Sequence, residues 1–121
     1  MNATIRHAAC AILLCMWGMH TACAQTAYPA RNVQVIVPYP AGGNVDAIAR
    51  LIGNRVAPAL GQSVVIENRA GAGATIGAQA AARAPADGFT FYFATTAALV
   101  TNPLLFKALP YDPAKDFVPV A

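Results

Sequence analysis

The residues in this chain best suited to do chemistry are glycines and hydroxyls rather than nucleophiles. Pro38-Tyr39-Pro40-Ala41-Gly42-Gly43-Asn44 is a turn-forming loop that runs into an apolar helical pattern. Gly42 and Gly43 at a helix start expose backbone N–H groups that no side chain screens, beside the positive end of the helix dipole. Such a nest suits a carboxylate or another small anion. Tyr39 and Ala41 belong to the same loop, and Asn44 is a good N-cap for the helix. Asp46 in the first turn works against a strongly anionic pocket. It can compensate the dipole and pair with Arg50 four residues on, or take part in fixing the loop. Thr95, Thr96 and Ala97 form a second candidate, where two hydroxyls could complete the hydrogen bonding of a ligand or simply cap a local turn.

A third glycine-rich segment, Gly71-Ala72-Gly73-Ala74-Thr75-Ile76-Gly77, follows a strand-like run and opens a helix. Its spacing is G-x-G-x-x-x-G, not the dinucleotide G-x-G-x-x-G. The next acid, Asp87, lies in a turn rather than at the end of the following strand. These glycines read as a tight strand-to-helix turn.

Composition limits the rest. Residues 1–24 carry Arg6 and His7, then an apolar stretch over 8–18, then Ala22-Cys23-Ala24. That stretch is short of the ~20 residues a membrane helix needs. The pattern is that of a cleaved secretory signal with Gln25 as the mature terminus. Cys23 could mark a lipoprotein, but His20 and Thr21 fit the approach to such a cysteine poorly. Cys10, Cys15, Cys23, His7 and His20 are all the cysteines and histidines of the chain, and all lie in this leader. The mature segment therefore has no disulfide, no His/Cys metal site and no histidine base for a hydrolase. No run of basic residues suggests nucleic acid.

The elements that must position the loops alternate. Val33–Val37 is β-branched and ended by Pro38, which reads as a buried strand. Val45, Ile48, Ile52, Val56 and Leu60 form one apolar helical stripe, closed by Pro58 and Gly61. Residues 63–67 form a second strand, 75–83 an alanine-rich helix and 90–94 a third strand. The proline-punctuated remainder carries only a short helix near 104–107, and Phe117-Val118-Pro119-Val120-Ala121 looks like the start of another strand. Strands separated by helices predict an α/β fold, a parallel-rich sheet with flanking helices, incomplete within this length.

Val35-Ile36-Val37-Pro38-Tyr39-Pro40-Ala41-Gly42-Gly43-Asn44-Val45-Asp46, Glu67-Asn68-Arg69-Ala70-Gly71-Ala72-Gly73, Asp87-Gly88 and Leu109-Pro110-Tyr111-Asp112-Pro113-Ala114-Lys115-Asp116-Phe117 occur in this order. Together they resemble the Bug-type periplasmic solute-binding receptors of tripartite tricarboxylate transporters, from the leader to Ala121. Departures are Ala41 where a second proline is common, Asn44-Val45 where Ser-Thr is frequent, and Ala74 where glycine is frequent. The resemblance implies a type II periplasmic-binding-protein (flytrap) fold, with residues 25–121 as the amino-terminal portion of its first domain and the second domain absent. It also implies a periplasmic location, a small carboxylate ligand, a membrane permease as partner, no cofactor and no catalysis. In the flytrap strand order 2-1-3, ligands meet the loops after strands 1 and 3, which hold Tyr39, Ala41, Gly42, Gly43, Asn44, Asp46, Thr95, Thr96 and Ala97. The alternatives are a secreted α/β enzyme fragment, against which the missing histidine counts, and an exported interaction domain using a sheet edge.

Overall fold

The computed structural model describes residues 28–120. The leader and the expected mature terminus at Gln25 lie outside the described residues. Five elements form the frame: β1 (Val33–Val37), α1 (Asn44–Leu60), β2 (Val64–Asn68), α2 (Thr75–Ala82) and β3 (Thr90–Tyr92). A π-helical turn, Ala97–Thr101, then runs directly into a short helix, α3 (Asn102–Leu105).

The three strands make a parallel sheet in the order β2-β1-β3, as the flytrap topology requires. Register sets Val33 beside Val64 and Gln34 beside Thr90. Side chains alternate across a sheet, so Val64, Ile66 and Asn68 share one face with the odd-numbered residues of β1. Gly53 of α1 lies on that face, where an added Cβ would meet Val64 Cγ1 at 3.1 Å. Tyr92, on the other face, packs against Ala74 and Ala78 beside α2. The helices therefore cover opposite faces. Gly77 brings α2 close to the end of β1: an added Cβ would stand 2.8 Å from Pro38 Cβ and 2.9 Å from Arg69 O.

Several expectations shift. The buried face of α1 is Asp46, Ala49 and Gly53, whereas Ile48, Ile52 and Val56 are 49%, 48% and 41% exposed. The close approach at Gly53 selects small residues against the sheet, and the larger apolar stripe is turned aside. Pro58 does not close α1, since it removes only one amide donor in the last turns. The helix runs on to Leu60 and ends where Gly61 takes the left-handed conformation, φ +65°. The helix opens with Gly43 at the capping position and Asn44 already helical, one residue before the expected cap. β2 lies one residue later than expected and β3 ends two residues earlier, although Phe93 N–H still donates to Ile36 O at 2.9 Å. Residues 97–105 are helical where only 104–107 was expected. Residues 117–120 form no strand; Phe117 instead stacks on Tyr92, with ring centroids 5.3 Å apart.

The π turn follows from Pro103 and Tyr111. Asn102 N–H reaches back five residues to Ala97 O. The same register would pair Ala98 O with residue 103, but proline has no N–H. Tyr111 supplies the missing donor: its hydroxyl donates to Ala98 O at 2.6 Å, fully buried. Ala74, Ala78, Ala98 and Tyr111 form the small core on this side, with Tyr39 and Tyr92 packed against it.

Candidate functional site

The loops after β1 and β3 lie side by side because those strands are neighbours and the sheet order reverses there. This is the position where open α/β sheets receive ligands. Tyr39 joins the two loops, packing half-buried against the core that holds Ala98 and Tyr92.

The first loop is held from within. Gly42, with φ +82°, adopts a backbone conformation that side chains disfavour. Its N–H is not open as expected, because it donates to Asp46 Oδ2 at 2.9 Å. The Gly43 N–H makes only a long, 3.4 Å contact with Pro40 O. The helical ladder starts with Ala47 N–H donating to Gly43 O at 2.9 Å, so the amides of residues 44–46 precede it. Val45 N–H turns back to Asn44 Oδ1 at 2.9 Å. The amides of Gly43, Asn44 and Asp46 thus remain at the positive end of α1, with Ala41, Gly43 and Asn44 all exposed.

Asp46 is buried, 3% exposed, and both its oxygens are engaged. Arg50 Nε donates to Oδ2 at 2.9 Å and Asn68 Nδ2 to Oδ1 at 2.9 Å. The Arg50 guanidinium, then the Gly42 amide and the Asn68 amide, hold this carboxyl well below the usual carboxylate range. The expected pairing of Asp46 with Arg50 is present. Asn68, at the end of β2, was not foreseen. It sits in the Glu67–Gly73 motif, but its partner lies 22 residues away.

On the second loop, Thr95 O accepts the Leu99 N–H at 3.1 Å, which starts the helical stretch. The Thr95 hydroxyl does not cap that stretch. Thr95 Oγ1 is buried and has no hydrogen-bond partner among the described residues; the Tyr92 hydroxyl is in the same condition. Burial pushes the Tyr92 phenol upward, with Tyr111 and Tyr39 adding to the shift, so it stays a neutral donor. Buried hydroxyls without partners are uncommon and call for a ligand or water. Thr96 is exposed and Ala97 opens the π turn, neither touching the first loop by any hydrogen bond.

The glycine-rich turn follows β2 and packs against the helical segment after β3. Gly71, Ala72, Gly73 and Ala74 all have positive φ, and Asn102 Nδ2 fastens the turn by donating to Gly73 O at 2.8 Å. No group of three or more His, Cys, Asp or Glu positioned for a metal occurs among the described residues.

Residues 48–121 match the model of the tripartite tricarboxylate transporter family receptor. The chain belongs to that family. It is 39% identical to protein BugT of Bordetella pertussis over 122 aligned residues, covering 100% of this chain and 37% of BugT. Among solved structures it resembles MatC of Rhodopseudomonas palustris with bound malate: 43% identity, TM-score 0.73, covering 77% of this chain and 32% of MatC. A second R. palustris protein, solved with adipate, is 44% identical with TM-score 0.69, covering 72% of this chain and 29% of its own. The chain thus spans about a third of the length of these relatives. The periplasmic-binding-protein type of α/β architecture agrees with these neighbours.

Proposed function

We propose that this chain supplies the ligand-receiving loops of a periplasmic receptor that captures small carboxylates and delivers them to a membrane permease, without catalysis. The reading rests on two features of neighbouring strands: the helix-start amides that follow β1, and a buried threonine hydroxyl after β3 without a hydrogen-bond partner among the described residues. A carboxylate needs such donors. The amides of Gly43 and Asn44 suit one oxygen pair, and Thr95 Oγ1 can donate to the same ligand or to a bridging water. Tyr39 and Ala41 frame the loop, Gly42 and Asp46 fix its shape, and Thr96 and Ala97 border the second loop. Neutral donors of this kind hold an anion and later release it. The dicarboxylates in the two solved relatives support the ligand class. The same reading takes residues 1–24 as an export signal, so mass spectrometry of periplasmic material is expected to find Gln25 first; a lipid-modified Cys23 would overturn that part.

Calorimetric titration of the full-length protein with di- and tricarboxylates tests the receptor reading. A charge-assisted hydrogen bond contributes about 1.5–3 kcal/mol. Gly43→Val places branched carbon atoms over the amide and is expected to weaken binding roughly ten- to a hundredfold, at about 1.4 kcal/mol per decade. Thr95→Val is expected to cost less, about 0.5–1.5 kcal/mol. A folded full-length protein with no carboxylate affinity would overturn the proposal.

A further inference from the structure

We infer that Asp46, Arg50 and Asn68 act as a positioning brace for the ligand loop, with Asn68 tying it to the sheet. This rests on the carboxylate-receptor reading. The three side chains close a ring. Arg50 forks, donating through Nε to Asp46 Oδ2 at 2.9 Å and through a terminal nitrogen to Asn68 Oδ1 at 3.1 Å. Asn68 Nδ2 closes it by donating to Asp46 Oδ1 at 2.9 Å.

The ring grips the loop backbone at two points three residues apart. Asn68 Nδ2 donates to Tyr39 O at 3.0 Å, and Asp46 Oδ2 accepts the Gly42 N–H at 2.9 Å. The amide of Gly42 is therefore turned inward, toward Asp46. No atom outside the immediate chain lies within 4 Å of where a Gly42 Cβ would stand, so the backbone angle, not space, requires glycine there. A loop held in its binding shape before the ligand arrives loses less freedom on binding. Arg50 also balances the Asp46 charge, which would otherwise repel an arriving carboxylate.

An Asp–Arg pair four apart on a helix is by itself a minor surface feature. Asn68 changes its meaning, because it comes from the end of β2 and reaches both the pair and the loop. Each of its polar atoms has a partner, and its two donated bonds end on Asp46 and on the loop backbone.

The test compares the full-length protein with Asn68→Ala and with Val33→Ala. Val33 is buried at the opposite end of β1, so its truncation lowers stability without touching the loop. Two readouts are taken: amide hydrogen exchange at Gly42 and Gly43 without ligand, and affinity for malate. Asn68→Ala is expected to speed loop exchange and weaken binding about five- to thirtyfold, as loss of one or two hydrogen bonds implies. Val33→Ala is expected to lower the melting temperature while changing neither. Should Asn68→Ala fail to fold, Arg50→Lys keeps the charge, loses the fork and is expected to weaken binding about two- to fivefold. Affinity and exchange that follow stability alone, equal in the loop and control variants, would overturn the brace. A wild type without affinity for malate or any other carboxylate overturns the receptor reading instead, and loop exchange then decides the brace by itself.

Discussion

Replacing Tyr111 by phenylalanine removes one oxygen and leaves the ring. The ring's edge-on contact with Phe117, at 6.0 Å between centroids, is kept. What is lost is the 2.6 Å hydrogen bond to Ala98 O, at a residue with no exposed surface. No other donor stands ready, since the Asn102 N–H is committed to Ala97 O and Pro103 has none. A buried carbonyl left without a partner costs about 1–3 kcal/mol. At about 4 °C per kcal/mol for a chain of 121 residues, Tyr111→Phe is expected to melt about 4–12 °C lower. Pro103→Ala supplies an N–H in reach of the helical carbonyls. The double variant Tyr111→Phe/Pro103→Ala is therefore expected to recover part of the loss. Differential scanning calorimetry on the four proteins gives the cycle directly. Equal melting of Tyr111→Phe and wild type, or additive effects of the two substitutions, would refute this account of the π turn.

Three further outcomes are expected. Gly77→Ala drives a Cβ to within 2.9 Å of Pro38 Cα and Arg69 O, both backbone atoms, and should cost about 1–3 kcal/mol in denaturant unfolding as α2 is pushed off the sheet. Ala72 is exposed at φ +47°, so Ala72→Gly should raise stability by about 0.5–1 kcal/mol, the relief of a left-handed alanine less the added freedom of the unfolded chain. Asp46 is held below its ordinary value of 3.8, so its stabilisation is full above that pH and is lost as pH falls toward its lower folded value. Wild-type stability should therefore decline below about pH 4 with a component that Asp46→Asn lacks, measured as melting temperature against pH.

The sequence carried the frame of this fold further than its contacts. Val33–Val37 is legible because five residues ending at a proline leave a strand no freedom in length. The 2-1-3 order is what the family resemblance implies, and the parallel sense is what the strand–helix alternation implies. The buried face of α1 was not legible. Periodicity marks large apolar residues, whereas the sheet admits Ala49 and Gly53 at close range and leaves Ile48 and Ile52 outside. β2 shifted by one residue because pairing with Val33 starts at Val64, a fact of register rather than propensity. The π turn depends on a hydroxyl thirteen residues distant, beyond any local window. At the candidate site, the glycines and Thr95 could be read from residue type and position. That Gly42's amide is spent on Asp46, and that Asn68 joins them, required the three-dimensional neighbourhood.

The most direct test of the central claim is amide chemical-shift mapping of the full-length protein during titration with malate. The account predicts that the amides of Gly43, Asn44 and Thr95 shift together and saturate at one ligand, while those of Gly71, Ala72 and Gly73 stay in place. Shifts centred on the glycine-rich turn after β2, with Gly43 and Thr95 unmoved, would contradict it.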